Sequence, residues 1–301
     1  MTESDCRSIG RCSCLLASMA PRKSVLITGC TPGGLGHALA LEFSSQGARV
    51  FATARRPEAL EDIQAMGFET LVLDVTSDAS VRAAAAYVSN ATGGTLDILV
   101  NNAGHGYTMP ATDLNMEKVQ ELFNTNLFGV MRMVKAFAPL VIAAKGKIVN
   151  NGSMVATFPL PFRGAYAASK AALHSYGDAL RLEMRPFDVA VITLVTGAVE
   201  STGSTKDTVD AILPDSLYVE PLGVLLETSS QMTKGRTPAA VWATEVVTTV
   251  LSERNPRWFW VGSRAWVMWF VTTLLPRAIV DSILSRIFDL SDMRKNSKKR
   301  A

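Results

Sequence analysis

Ser153, Tyr166 and Lys170 are the residues of this chain best suited to do chemistry together, and they share the stretch SMVATFPLPFRGAYAASK. If residues 165–184 are helical, Tyr166 and Lys170 stand at i and i+4 and project from one face. A strand ending near Asn150 would carry Ser153 on the loop just beyond it. A free phenol is a weak acid or base at neutral pH, with a pKa of about 10. An adjacent ammonium stabilises a phenolate and lowers that value. A hydroxyl can hold a substrate oxygen against the phenol. Such a trio is acid–base equipment for interconverting a carbonyl and an alcohol. Taken alone, Tyr-x-x-x-Lys more often marks a packed ring beside a solvated charge. The rest of the chain decides between the two.

The elements that must position these groups can be read in order. Val25 to Thr28 is a short apolar run fit for a buried parallel strand. Gly29-Cys30-Thr31-Pro32-Gly33-Gly34-Leu35-Gly36 follows, then a helical pattern from His37 that stops at Gly47. Strand, glycine turn and helix N-terminus together make an anion site, because backbone N–H groups and the helix dipole face a pyrophosphate. A second strand, Arg49 to Ala54, ends at Arg55-Arg56-Pro57 with no acid. An acid at this place would bind the ribose hydroxyl of NAD, whereas arginine accommodates the 2′-phosphate of NADP. The reading is NADP; the alternative is two solvated surface charges.

A helix over about 58–66 leads to a strand over 70–73 and then Asp74. Asp74 is placed either to accept from an adenine amino group or to cap the next helix, although Ser77 and Asp78 are better placed for capping. That helix runs to about Asn90 and breaks at Gly93-Gly94. A strand over 97–100 ends in Asn101-Asn102-Ala103-Gly104. One long helix is expected from Met116 to Ala144, with Asn126 inside it, bonded to something because buried asparagines seldom stand alone. A strand over 147–151 delivers Ser153. A sixth strand over 188–194 precedes Thr196-Gly197-Ala198-Val199-Glu200-Ser201. This alternation predicts an α/β fold: one Rossmann-type, doubly wound parallel sheet with helices on both faces. Every motif lies at the carboxyl end of a strand, where such sheets bind ligands.

The 301 residues suffice for one large α/β domain or two small ones. A net charge of +3 is too small to indicate nucleic acid. Cys6, Cys12, Cys14 and Cys30 have no partner cluster downstream, so no metal site is expected and the thiols read as free in a reducing compartment. Residues 1–18 are too polar for a signal peptide. They read as a disordered extension or as the product of an upstream start codon, since Met19 also begins a natural-looking sequence.

Together these motifs resemble the short-chain dehydrogenase/reductase family, of the NADP-preferring sort, over about residues 22–255. Thr28 to Gly36 is similar to its glycine motif and Asn101 to Gly104 to its NNAG motif. Asn126, Ser153, Tyr166 and Lys170 match its catalytic tetrad in order and spacing. The resemblance implies NADP(H) contacts at Ile27, Thr28, Gly29, Gly33, Gly34, Gly36, Arg55, Asp74, Asn102, Tyr166, Lys170, Val199 and Ser201. It also implies a water on Asn126 that refills Tyr166 through Lys170, and pairing as a homodimer. Two features depart from the common pattern: the extra Gly33 and, where proline is usual, Thr196. Asn151-Gly152 before Ser153 is also uncommon. Within the family, the chain is similar to a branch of fungal acyl-dihydroxyacetone-phosphate reductases and specialised-metabolism reductases. The expected activity is reduction of a lipophilic ketone; the alternative is a non-catalytic NADP-binding sensor or scaffold.

The catalytic domain is expected over 19–255, with a substrate loop at 200–236, and an apolar and amphipathic segment with a basic tail over 256–301. Trp258, Phe259, Trp260 and the uncharged run Ala265 to Pro276 are strongly apolar, but the run is shorter than the ~20 residues a spanning helix needs. Ile279, Val280, Ile283, Leu284, Ile287 and Phe288 lie on one helical face. These segments either wrap the core or a partner copy, or lie in a membrane interface with the basic end on anionic lipid. The expected location is cytoplasmic, with the endoplasmic reticulum or lipid droplets as the surface for any peripheral contact through 258–290.

Overall fold

The computed structural model describes residues 22–202, 208–209, 216, 218, 235–288 and 290. The N-terminal extension 1–18, most of the 200–236 loop and the basic tail 294–300 lie outside the described residues. In chain order, the first half comprises β1 (Ser24–Thr28), α1 (Leu35–Ser45), β2 (Arg49–Ala54), α2 (Glu61–Ala65), β3 (Glu69–Val72), α3 (Asp78–Thr92) and β4 (Ile98–Asn101). Then come β5 (Tyr107–Thr108), α4 (Met116–Phe123), α5 (Gly129–Ala143), β6 (Lys147–Asn151), α6 (Gly164–Met184) and β7 (Ala190–Thr196). The last elements are β8 (Thr208–Val209), α7 (Ala239–Leu251), β9 (Trp258–Val261), α8 (Ala265–Leu274) and α9 (Arg277–Ile287).

Seven parallel strands form one sheet in the order β3-β2-β1-β4-β6-β7-β9. Strand order reverses between β1 and β4, which opens a crevice at their carboxyl ends. The central strands are buried on both faces, which is why they read as continuous apolar runs rather than as alternations. One face is covered by α1 and α7 through Leu39, Phe43, Trp242 and Val246. The other is covered by α3, α5 and α6 through Val88, Phe137, Leu173 and Leu180. Gly93 ends α3 in the left-handed conformation, at φ 69°, as the glycine pair implied.

Three expectations change. The helix beginning near residue 58 opens as a 3₁₀ turn over Pro57–Leu60. The helix over 116–144 is interrupted by a π-helical turn, Asn124–Phe128, a local widening often found at functional positions. Most informatively, Trp258, Phe259 and Trp260 do not belong to an appendage beyond residue 255. They form β9, in register with Thr193, Leu194 and Val195 of β7. The Trp258 ring stands edge-on to His174, and its Nε1–H donates to Asp178 Oδ1 at 3.2 Å. Arg257 Nε donates to the same oxygen at 2.6 Å. Neither tryptophan is available as a headgroup anchor.

A chain ending at residue 255 therefore lacks a sheet strand. Its expected behaviour is insolubility or a Tm lower by 10 °C or more in thermal denaturation; an unchanged Tm would show that β9 is dispensable.

Candidate active site

The site is assembled on a chain of side-chain hydrogen bonds along the carboxyl ends of four strands. Thr28 Oγ1, at the end of β1, accepts from the Asn102 and Ala103 N–H groups at 2.9 Å each. Asn102 Nδ2 donates to the Thr28 and Gly29 carbonyls at 2.8 and 3.2 Å. Asn151 Nδ2 donates to Asn102 Oδ1 at 2.9 Å, and Thr196 Oγ1 donates to Asn151 Oδ1 at 2.7 Å. β1, β4, β6 and β7 are thereby laced together below the crevice. Asn101 Nδ2 adds a bond to Asn150 Oδ1 at 2.9 Å. The uncommon Asn151 and the departure at Thr196 are thus linked, since the two side chains bond each other.

Lys170 and Ser153 hang from this frame. Lys170 is buried and donates from Nζ to the Asn151 carbonyl at 2.8 Å, its one hydrogen bond among the described residues. No carboxylate accompanies it among the described residues, and burial pushes its pKa down to about 8. Ser153 is held by its backbone N–H, which donates to His174 Nε2 at 3.2 Å. Its Oγ accepts from the Val155 N–H at 3.4 Å. Tyr166, Lys170 and His174 follow one another at four-residue intervals on α6 and so share a face. Tyr166 packs between two apolar clusters, one containing Met154, Val155 and Phe158, the other Tyr107, Met109 and Leu122. The Arg163 guanidinium lies 5.0 Å from the Tyr166 ring centroid and donates to Thr108 Oγ1 at 3.1 Å.

Asn126 sits in the π-helical turn and is fully buried. Its Oδ1 accepts from the His105 N–H at 3.1 Å, while Nδ2 donates to the His105 carbonyl at 3.0 Å and to Ser169 Oγ at 3.1 Å. It therefore bridges the loop after β4 to α6. A Cβ placed on Gly104 would come within 2.9 Å of Asn126 Oδ1 and 3.5 Å of Lys170 Nζ, so these two groups converge over that glycine.

Sequence reasoning missed His174. Burial, and secondarily the Lys170 charge, push its pKa down to about 4 against the opposing pull of Asp178. A neutral ring with an accepting Nε2 carries its proton on Nδ1. Gly152 is required beside it, because a Cβ there would lie 2.1 Å from His174 Nε2 and 2.6 Å from the Leu194 carbonyl. A histidine one helical turn beyond Lys170 was the available signal. Thr202 was also missed: its N–H donates to the Gly33 carbonyl and its Oγ1 to the Pro32 carbonyl, both at 3.0 Å. The strand end after β7 is thus clipped to the glycine turn.

The residues fit a dinucleotide. Gly34 caps α1 with no side-chain hydrogen bond, so the first-turn N–H groups remain for a phosphate. A Cβ on Gly36 would lie 2.5 Å from the Gly29 carbonyl, so only glycine permits this close turn. Gly29 and Gly33 have φ of 76° and 70°. Arg55 and Arg56 are exposed at the end of β2, and neither guanidinium has a hydrogen bond or ion pair among the described residues. Other expected contacts lie elsewhere. Ile27 is fully buried, with its carbonyl accepting from Thr53 Oγ1 at 3.0 Å, so it seats the turn from below and offers no surface to a cofactor. Thr28 is likewise buried as the hub described above. Asp74 Oδ1 accepts from the Thr76 N–H and hydroxyl at 2.9 and 2.7 Å, and the helix cap falls to Ser77. Val199 is buried and bridged to Thr237, with Ser201 half-buried beyond it.

Residues 23–212 match the family described as short chain dehydrogenase. The chain belongs to the short-chain dehydrogenase family. It is 39% identical over 273 residues to Short-chain dehydrogenase virD of Hypocrea virens, covering 91% of this chain and 95% of that protein. It is 43% identical over 220 residues to the NADPH-dependent 1-acyldihydroxyacetone phosphate reductase of Schizosaccharomyces pombe, covering 72% and 74%. A short-chain dehydrogenase structure from Streptomyces avermitilis superposes with a TM-score of 0.75 at 27% identity, covering 93% of this chain and 99% of that one. This protein is therefore an oxidoreductase acting on CH–OH groups.

The buried ammonium carries a signed pH dependence. Between about pH 8 and 10.5 the unfolded chain holds the Lys170 proton more tightly than the folded one. Its destabilising effect is complete below pH 8 and fades as pH rises through that window. Relative to Lys170→Met, the cofactor-free protein should gain up to ~3 kcal/mol in unfolding free energy across it. Urea denaturation at several pH values measures this, and a flat difference would show a solvated ammonium.

Proposed function

We propose that this enzyme interconverts a lipophilic ketone and its secondary alcohol. The observation that carries this reading is the apolar wall around Tyr166, made by Met154, Val155 and Phe158 on one side and Tyr107, Met109 and Leu122 on the other. A small polar carbonyl compound gains nothing from such a wall; an aliphatic or polycyclic one does. Bound NADPH supplies the hydride. The Ser153 hydroxyl donates to the substrate carbonyl oxygen and fixes it against the phenol. Tyr166 gives its proton to that oxygen as negative charge develops. The Lys170 ammonium, tied to the Asn151 carbonyl, keeps further donors for a ribose hydroxyl and for stabilising a phenolate. Asn126 holds the His105 loop beside Lys170, where a water would complete the proton path.

The substrate candidates are an acyl dihydroxyacetone phosphate, the compound named for the fission-yeast relative, and a polyketide- or terpenoid-like ketone. A sensor or scaffold without turnover is disfavoured by the intact Ser153, Tyr166 and Lys170. NADPH consumption against both candidates tests the reading. Tyr166→Phe should lower kcat at least a thousandfold and leave NADPH affinity within twofold, measured by cofactor fluorescence. Tight NADPH binding with no turnover of any ketone would favour the scaffold instead.

The reading extends to location: cytoplasmic, with peripheral contact on a lipid surface, and to a homodimer. Trp266, Trp269 and Phe270 of α8 are 72%, 47% and 48% exposed, a concentration of aromatic surface on one short helix. They replace Trp258 and Trp260 as the anchors. The protein should sediment with phosphatidylcholine–phosphatidylserine vesicles, and Trp266→Asp with Phe270→Asp should reduce the bound fraction at least fivefold. Equal sedimentation of the double variant would exclude α8 as the contact.

A further inference from the structure

A second cavity, outside the crevice at the strand ends, has no part in the chemistry described so far. It measures about 450 Å³ and lies between α8, α9 and the turn that follows Ser153. Met154 and Phe158 form its inner wall; Met268, Val271, Ile283 and Leu284 line its sides. Arg264 lies on its boundary and is exposed.

Two features distinguish this cavity from a packing flaw. Its inner wall is shared with the active site: Met154 is the residue after Ser153, and Met154 and Phe158 belong to the cluster on which Tyr166, Met268 and Leu284 all pack. The apolar face of α9 also divides. All four of Val280, Ile283, Ile287 and Phe288 line the cavity, but Val280 and Phe288 are buried at 7% and 3% exposure whereas Ile283 and Ile287 stay 47% and 50% exposed. A helix sealed onto the core would bury all four. The cavity is therefore apolar, bounded at one end by active-site residues and bordered at the other by half-open isoleucines. Its volume falls within the range of small-molecule sites.

We infer that this cavity receives the unbranched aliphatic portion of the substrate, with the carbonyl at Ser153 and Tyr166 and the chain running between α8 and α9. The inference rests on the lipophilic-ketone reading and gives it a shape: a substrate with a flexible chain next to its carbonyl, rather than a compact polycycle. Met154, with an unbranched and adaptable side chain, is the natural gate between the two compartments.

Two measurements test it, one independent of turnover. cis-Parinaric acid, a fluorescent polyene fatty acid, should bind saturably at one per chain and be displaced by 2-dodecanone but not by 2-butanone. Val271→Phe and Ile283→Phe, which fill the cavity from opposite helices, should each weaken that binding at least tenfold. Ile283→Phe sits at a half-exposed position and so guards against a folding failure of the first variant. NADPH binding and Tm report on the fold of both. In the second measurement, kcat/KM over straight-chain 2-alkanones should rise about fourfold per added methylene, the transfer free energy of one CH₂ expressed as a rate ratio. Both variants should flatten that rise while leaving the shortest ketone unaffected. Absent saturable binding, or binding and chain-length slopes unchanged in both variants, would overturn the cavity's assignment even if ketones are reduced. Saturable, cavity-dependent binding without reduction of any ketone would keep the assignment and overturn the reductase reading instead.

Discussion

The hydrogen-bonded row Thr28–Asn102–Asn151–Thr196 is the constraint on which the site depends. A parallel sheet leaves the carboxyl ends of its strands as the place where loops diverge and ligands bind. In most of the sheet the strands are held by their own ladder. At the ends the ladder stops, and here side chains continue it across β1, β4, β6 and β7. The row starts at the glycine turn, passes Asn151, two residues before Ser153, and ends at the end of β7. The backbone carbonyl of Asn151, a member of the row, is the one described acceptor that the buried Lys170 ammonium finds. Polar groups so deeply placed are stabilising only when each has a partner, and in this row the successive amides and hydroxyls do.

Helix α6 supplies the other half of the geometry. Tyr166, Lys170 and His174 occupy one stripe of it, facing respectively an apolar wall, a carbonyl and the Ser153 backbone. The helix is thus pinned along its length to the strand end it serves. Asp178, one turn further, continues the stripe and binds Trp258 and Arg257. β9 closes the sheet edge and also buttresses the helix that carries the chemistry.

Much of this was legible in the sequence, because short runs such as Val25 to Thr28 and Lys147 to Asn151 have one plausible fate between glycine and helix signals. The spacing of Tyr166 and Lys170 placed both on one face of α6, and the strand before Ser153 placed that residue at a strand end. What was not legible has physical causes. Trp258-Phe259-Trp260 shows no alternation, since an edge strand wedged between a helix and a strand is half-buried throughout, and next to an apolar helix it reads as membrane-seeking. The π-helical turn leaves no mark in a hydrophobic pattern, yet Asn126 depends on it. His174 was passed over because one histidine on a helix says nothing of its neighbours until Gly152 and Ser153 are folded against it. Ile27 entered the set of cofactor contacts through the family resemblance, and its side chain is fully buried within β1.

Asn151 and Thr196 are 45 positions apart in the chain and bonded to each other. To an engineer transplanting this site onto a related scaffold, they behave as one exchangeable part. Moving Asn151 alone strands an amide oxygen where the recipient has proline; moving Thr196 alone leaves a hydroxyl without the amide oxygen to which it donates here. The unit of transfer is the pair.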